Sequence, residues 1–232
     1  NTRQPMAAER KARYGMNKRL TASQAADLVK EGNSVMIGGF LGCGAPEQLI
    51  DALMAKGFKN LTLIANDTGF PTMGPGRMVA AKLFSTIYAS HIGTNKETGR
   101  QMVEGETVVH LVPQGTLVEQ IRAAGYGLGG FLTRTGVGTE VEKGKQVMEV
   151  DGIKYLLEKP LHADIALVFA DKADEYGNLV YRGATRNFNP IMASAASITI
   201  AQVREIVPVG RLDPNEIIVP GAFVNYIVQE VQ

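Results

Sequence analysis

Along the 232 residues, short runs that are apolar throughout alternate with segments whose apolar positions recur at helical spacing. The runs are Val35-Met36-Ile37, Leu61–Ala65, Ser85–Ala89, Thr107–Val112 and Asp164–Ala170. A strand wetted on one face alternates with period two. Runs without that alternation predict strands buried on both faces, as in a parallel sheet covered by helices. Between the runs, Leu49, Ile50, Leu53 and Met54 form the stripe of a helix that opens at Pro46 and stops at Gly57. Leu117–Ala124 predicts a second helix. Thr21 and Gln24 have the spacing of a capping box, which predicts a helix through Leu28 and Val29 to Glu31.

One stretch breaks the alternation. Val147, Glu149, Ile153, Tyr155 and Leu157 flank Asp151-Gly152, a two-residue hairpin signal, so an antiparallel ribbon is expected between Gln146 and Lys159. Asp174–Asn178 predicts a turn leading into a short strand, Leu179–Tyr181. The expected fold is α/β: an open, doubly wound, mostly parallel sheet flanked by helices, with a small antiparallel β-ribbon insertion. No internal repeat, low-complexity tract or linker divides residues 16–232, which read as one domain. Residues 1–15 read as an extension or an expression scar outside it.

Composition narrows the function classes. Hydrophobic residues make up 45% and charged residues 20%, as in a globular protein with a large core. The net charge of +1 argues against a dedicated nucleic-acid binder. Residues 1–19 hold six basic side chains and one acid, leaving 18 basic and 22 acidic for the remainder, a net of −4. The charge-free stretch Gly32–Pro46 is too short and glycine-rich to span a bilayer. A single cysteine, Cys43, excludes an internal disulfide and suits a reducing cytosol, so a cytoplasmic location is expected. His91, His110 and His162 show no metal-ligand spacing, and no metal is expected.

Glycine is the informative excess: 26 residues, about 11% against an average near 7%. The foremost cluster is Gly38-Gly39-Phe40-Leu41-Gly42-Cys43-Gly44-Ala45-Pro46, between a strand and a helix, where α/β proteins bind ligands. Its bare backbone suits an anionic ligand. It matches neither the Rossmann fingerprint nor the P-loop. Gly125-Tyr126-Gly127-Leu128-Gly129-Gly130 does fit G-x-G-x-x-G but follows a helix, and reads instead as a wall or lid, together with Gly136-Val137-Gly138. Val112-Pro113-Gln114-Gly115-Thr116 offers the Gln114 amide at the sheet's carboxyl edge, or an ordinary helix start around Thr116. Cys43 is expected to be a small buried residue. Arg182–Pro190 reads as a surface loop or a contact for a carboxylate or partner.

Glu31-Gly32-Asn33-Ser34 leading into Val35–Phe40, then Gly44 and Pro46, resembles the α-subunit signature of family I CoA-transferases, apart from Glu31 where Asp or Asn is usual. Ile64–Thr68, Ala89–Asn95, Val112–Thr116, Phe131–Thr139 and Arg186–Pro190 extend the resemblance over about residues 17–230. The likeness is to the acetate/acetoacetate type of short-chain fatty-acid metabolism.

This resemblance implies a ping-pong transfer of coenzyme A between carboxylates through a glutamyl-CoA thioester. The family's glutamate lies in a Ser-Glu-Asn-Gly motif of the β subunit, and that tetrapeptide is absent here. A β partner, in an α2β2 assembly, is therefore implied, with no prosthetic group. By the same resemblance Gly38, Gly39, Phe40, Leu41, Gly42, Cys43 and Gly44 contact CoA, Gln114 supports catalysis, and Asn66, Asn95 and Gly115 join Gln114 as substrate-pocket candidates. Two alternatives are kept. One is a fold-related sugar-phosphate isomerase, which needs an in-chain base such as Asp67 or Glu47. The other is a non-catalytic CoA-binding module.

Overall fold

The structure, a computed structural model, describes residues 18–231. The extension expected over residues 1–15 lies outside them. Helix α1 (Ala22–Ala26) opens on the predicted capping box: Thr21 accepts from the Gln24 N–H and Gln24 returns the bond. It ends earlier than Glu31, because the chain closes into i→i+3 turns from Leu28 to Ala25 and Val29 to Ala26, while Asn33 captures the Lys30 N–H at 2.8 Å. Strand β1 (Ser34–Ile37), helix α2 (Glu47–Lys56) and strand β2 (Leu61–Ile64) follow as expected, and Gly57 ends α2 at φ 68°.

Then come α3 (Pro75–Ala80), β3 (Phe84–Ala89), α4 (Lys96–Val103), β4 (Val108–Leu111) and α5 (Gln114–Gly125). Strands β5 (Phe131–Thr133), β6 (Gln146–Val150) and β7 (Ile153–Glu158) make a separate antiparallel sheet. Its hairpin turns at Asp151-Gly152, both at positive φ. The chain closes with β8 (Ala163–Asp174), β9 (Leu179–Val180), α6 (Asn189–Met192), β10 (Ala196–Val207) and β11 (Tyr226–Gln229).

The main sheet runs β11-β10-β8-β1-β2-β3-β4, all parallel, with β9 antiparallel on β8. Alternation along β1 feeds two cores. Val35 and Ile37 join a cluster with Leu49, Ile50 and Leu53 of α2, while Met36 joins one with Leu117 and Ile121 of α5 and Met192 of α6. Burying both faces is what the unbroken apolar runs encode. The exception is Thr107–Val112: β4 pairs only with β3, and Val108, His110 and Leu111 are exposed. An apolar run marks a strand but not its rank in the sheet.

Winding reverses between β1 and β8. From β1 the chain builds outward through β2 to β4, then returns to the other flank of β1 and builds through β8 to β11. Such a switch point opens a crevice at the strands' carboxyl ends, and the glycine cluster follows β1 at that crevice. The chain also repeats one device 30 residues on. After β1, Phe40 and Cys43 bridge across a tight turn; after β2, Phe70 and Met73 do the same.

Candidate functional site

The turn after β1 is a two-residue hairpin. Phe40 and Cys43 exchange backbone bonds at 3.1 and 2.9 Å, and the central Leu41 and Gly42 sit at φ 47° and 85°. Positive φ at both centres is the type I′ requirement, which Gly42 meets freely and Leu41 only against strain. Asp67 holds this tip by accepting the Leu41 N–H at 3.0 Å.

From behind, the segment before α6 clamps the turn. Asn187 Oδ1 accepts the Gly39 N–H at 3.2 Å and its Nδ2 donates to Cys43 O at 3.0 Å. Asn189 is fully buried; its Nδ2 donates to Gly44 O and Thr185 O, each at 3.0 Å, and its Oδ1 accepts the Phe169 N–H at 2.8 Å. A Cβ on Gly38 would stand 1.8 Å from Asn189 Oδ1. Glycine at 38 thus serves this close packing. Under the clamp Asp171 takes Arg182 N–H, the Thr185 hydroxyl and Arg204 Nη1 at 2.7, 2.8 and 2.9 Å. Burial first, and Asp171 second, push the Tyr181 phenol well above its ordinary range, so it stays neutral.

Phe40, Gln114, Arg122, Arg186 and Ile191 line a cleft of about 520 Å³ running from the turn along α5. Arg186 and Arg122 make it cationic, although Arg122 also pairs with Glu119 at 3.1 Å. Gln114, the first residue of α5, stands at the head of the cleft and also borders a second hollow of about 390 Å³ with Gly115 and Thr133. Its Nε2 donates to Asn66 Oδ1 at 2.7 Å. Apolar walls with a few convergent polar groups are the usual make-up of a small-molecule site.

A sequence model of the family described as Coenzyme A transferase matches residues 19–230. The chain belongs to this family. The α subunit of acetate CoA-transferase from Escherichia coli strain K12 is 51% identical over 211 residues, 91% of this chain and 96% of that one. The α subunit of an acetoacetyl-CoA:acetate/butyrate CoA transferase from Clostridium acetobutylicum is 48% identical over 201 residues, 87% of this chain and 92% of that one. Two solved folds agree at low identity. An acyl-CoA transferase (YdiF) from Escherichia coli O157:H7 superposes with TM-score 0.82 at 21% identity, over 93% of this chain but only 47% of that one. Glutaconate coenzyme A-transferase from Acidaminococcus fermentans gives 0.79 at 19% identity, over 92% and 75%.

Within this coenzyme A transferase fold, the candidates separate. Phe40 and Gln114 share one cleft, and Gly115 borders the second hollow. Asn66 is buried behind Gln114 as its hydrogen-bond partner. Asn95 has no exposed surface: it caps α4 through the Glu97 N–H at 3.2 Å and donates to Thr68 O at 3.0 Å, so its side chain is spent on the fold. Cys43, expected to be buried, is exposed, because the turn lifts it out of the sheet. Asn187 and Asn189 escaped the sequence reading as clamps; the segment was visible, but its contact with residues 38–44 spans more than 140 positions.

The isomerase-like alternative is not favoured. Asp67 takes three N–H bonds, and Glu47 is committed to the Gly74 N–H at 2.6 Å and Arg77 at 2.9 Å, so neither is free as a base. Among the described residues, no group of three or more His, Cys, Asp or Glu is placed to hold a metal, and no helix is long and apolar enough to cross a membrane.

Proposed function

We propose that this chain is the α half of a short-chain acyl-CoA:carboxylate CoA-transferase of the acetate/acetoacetate type, working in the cytoplasm with a β subunit in an α2β2 assembly. The observation that carries the reading is the shared cleft of Phe40 and Gln114 at the switch point, together with the absence of any Ser-Glu-Asn-Gly in the chain. A partner glutamate attacks the acyl-CoA carbonyl and the thiolate leaves, forming a mixed anhydride. The thiolate then attacks the glutamyl carbonyl, releasing the first acid and leaving a glutamyl-CoA thioester. A second carboxylate reverses both steps, producing the new acyl-CoA and regenerating the glutamate.

Each step passes through an oxyanion, and Gln114 Nε2 has a second N–H beyond the one given to Asn66. Aimed at the glutamyl carbonyl, that N–H stabilises the developing charge; losing one such donor costs roughly 2.7–4 kcal/mol, or about 10²–10³ in kcat. The Gly38–Gly44 turn receives coenzyme A, and Arg122 and Arg186 supply positive charge to an anionic ligand in the cleft. Exchange of one thioester for another calls for no prosthetic group.

The test is co-expression with its β subunit, followed by transfer assays from acetyl-CoA and acetoacetyl-CoA to acetate, butyrate and related acids. Transfer that needs both chains is expected. Transfer by this chain alone, or none with any short acid, overturns the assignment.

A further inference from the structure

We infer that Asp67 is a positioning residue that fixes the polarity of the Gln114 amide through Asn66, and by the same carboxylate pins the tip of the glycine turn. The inference rests on the assignment of Gln114 above. Asp67 is 4% exposed and every bond it makes is accepted. Its Oδ1 takes the Gly69 N–H at 2.7 Å; its Oδ2 takes the Leu41 N–H at 3.0 Å and Asn66 Nδ2 at 2.5 Å. A carboxylate offers no proton, so the Asn66 edge facing it must be the NH₂. Asn66 therefore turns its oxygen toward Gln114; the Ser90 hydroxyl, whose shorter bond at 2.7 Å goes to the Asn66 backbone oxygen, lies 3.1 Å from the same edge. Facing an oxygen, Gln114 must present Nε2, at 2.7 Å.

The order of donors is thus imposed from the buried end. Without the carboxylate, Asn66 is free to rotate its amide, and Gln114 is then free to turn its own oxygen toward the reacting carbonyl, where it would oppose the developing charge. The same Oδ2 holds the N–H of Leu41, whose positive φ leaves the tip disposed to relax. One side chain thereby sets two parts of the site: the donor at the cleft head, expressed in kcat, and the turn, expressed in KM for the CoA ester.

The test uses the assembled enzyme. Asp67→Ala removes the acceptor from the Leu41, Asn66 and Gly69 donors together. It is expected to lower kcat by about 10-fold to 100-fold, as when a catalytic group is misplaced by about 1 Å, and to raise KM for the CoA ester. The exchange Asn66→Asp/Asp67→Asn restores an acceptor opposite Gln114 but leaves the Leu41 N–H unpaired. It is expected to recover most of kcat while KM stays high, a split that loss of folding does not produce. A fully active Asp67→Ala beside a crippled Gln114→Ala refutes the relay alone; a fully active Gln114→Ala refutes the assignment of Gln114 and the relay with it. A folded, assembled exchange variant with kcat no better than Asp67→Ala also refutes the relay. Should Asp67→Ala fail to assemble, neutron diffraction of the unaltered enzyme reads the same order: deuterons on the Asn66 edge facing Asp67 are expected, and an oxygen there overturns the proposal.

Discussion

Gly38→Ala is the sharpest test of how the turn is built. The added methyl would stand 1.8 Å from Asn189 Oδ1 and 2.6 Å from its Cγ, so the Asn189 carboxamide has to leave. It is buried and bonded to the Phe169 N–H, Gly44 O and Thr185 O. Orphaning two of these groups, at roughly 1–3 kcal/mol each, destabilises the protein by about 2–6 kcal/mol. Asn189→Ala orphans the same groups and costs a similar amount. Because one displacement underlies both losses, the double variant should cost little more than either single one, with a coupling of about 2 kcal/mol or more, well beyond the roughly 0.5 kcal/mol of independent sites. Urea unfolding of the full chain, followed by circular dichroism, measures all three. Additive losses would show that the two residues do not compete for one space. A silent Gly38→Ala would refute the packing outright.

Further predictions follow from charge and exposure. Arg100 bonds Glu97 and Glu106 and holds both carboxyls from an ordinary 4.5 to about 2. Lowered carboxylate values contribute stability that is present above pH 4.5 and lost as pH falls toward 2; Arg100→Met should therefore flatten the melting temperature across that window, and an unchanged acid slope would refute it. Cys43 is exposed beside the proposed CoA contact, so iodoacetamide should label it in the free enzyme and saturating acyl-CoA should slow the labelling; an unaltered rate would place the ligand elsewhere. Gln114→Ala removes one bond to Asn66, whose NH₂ stays on Asp67, so the melting temperature should fall by only about 2–4 °C, roughly 1 kcal/mol, while kcat collapses. Equal loss of both would assign Gln114 a structural part only.

What was readable along the chain was local. The capping box at Thr21, the Pro46–Gly57 helix and the Asp151-Gly152 hairpin each rest on a few adjacent side chains, and each forms as read. So does the placement of Gln114 at a helix start after a strand. Position within the sheet was not readable: β4 and β2 look alike as apolar runs, yet one is an exposed edge and the other is buried. The exposure of Cys43 depends on a hairpin whose first central residue is Leu41, a poor turn former with nothing in its type to announce φ 47°. The echo of Phe40–Cys43 in Phe70–Met73 shares only a Phe and glycines, too little to register as a repeat. Hardest of all were the long-range bonds, Asn187 and Asn189 to the glycine turn and Asp67 through Asn66 to Gln114, since only the folded sheet brings its carboxyl ends together.

The division of labour between two chains is the central claim, and a mass spectrum tests it. The assembled enzyme, incubated with acyl-CoA in the absence of acceptor acid and then resolved into intact subunits, should carry the coenzyme A adduct on a glutamate of the β chain and none on this one. An adduct on any side chain of this polypeptide would contradict the account.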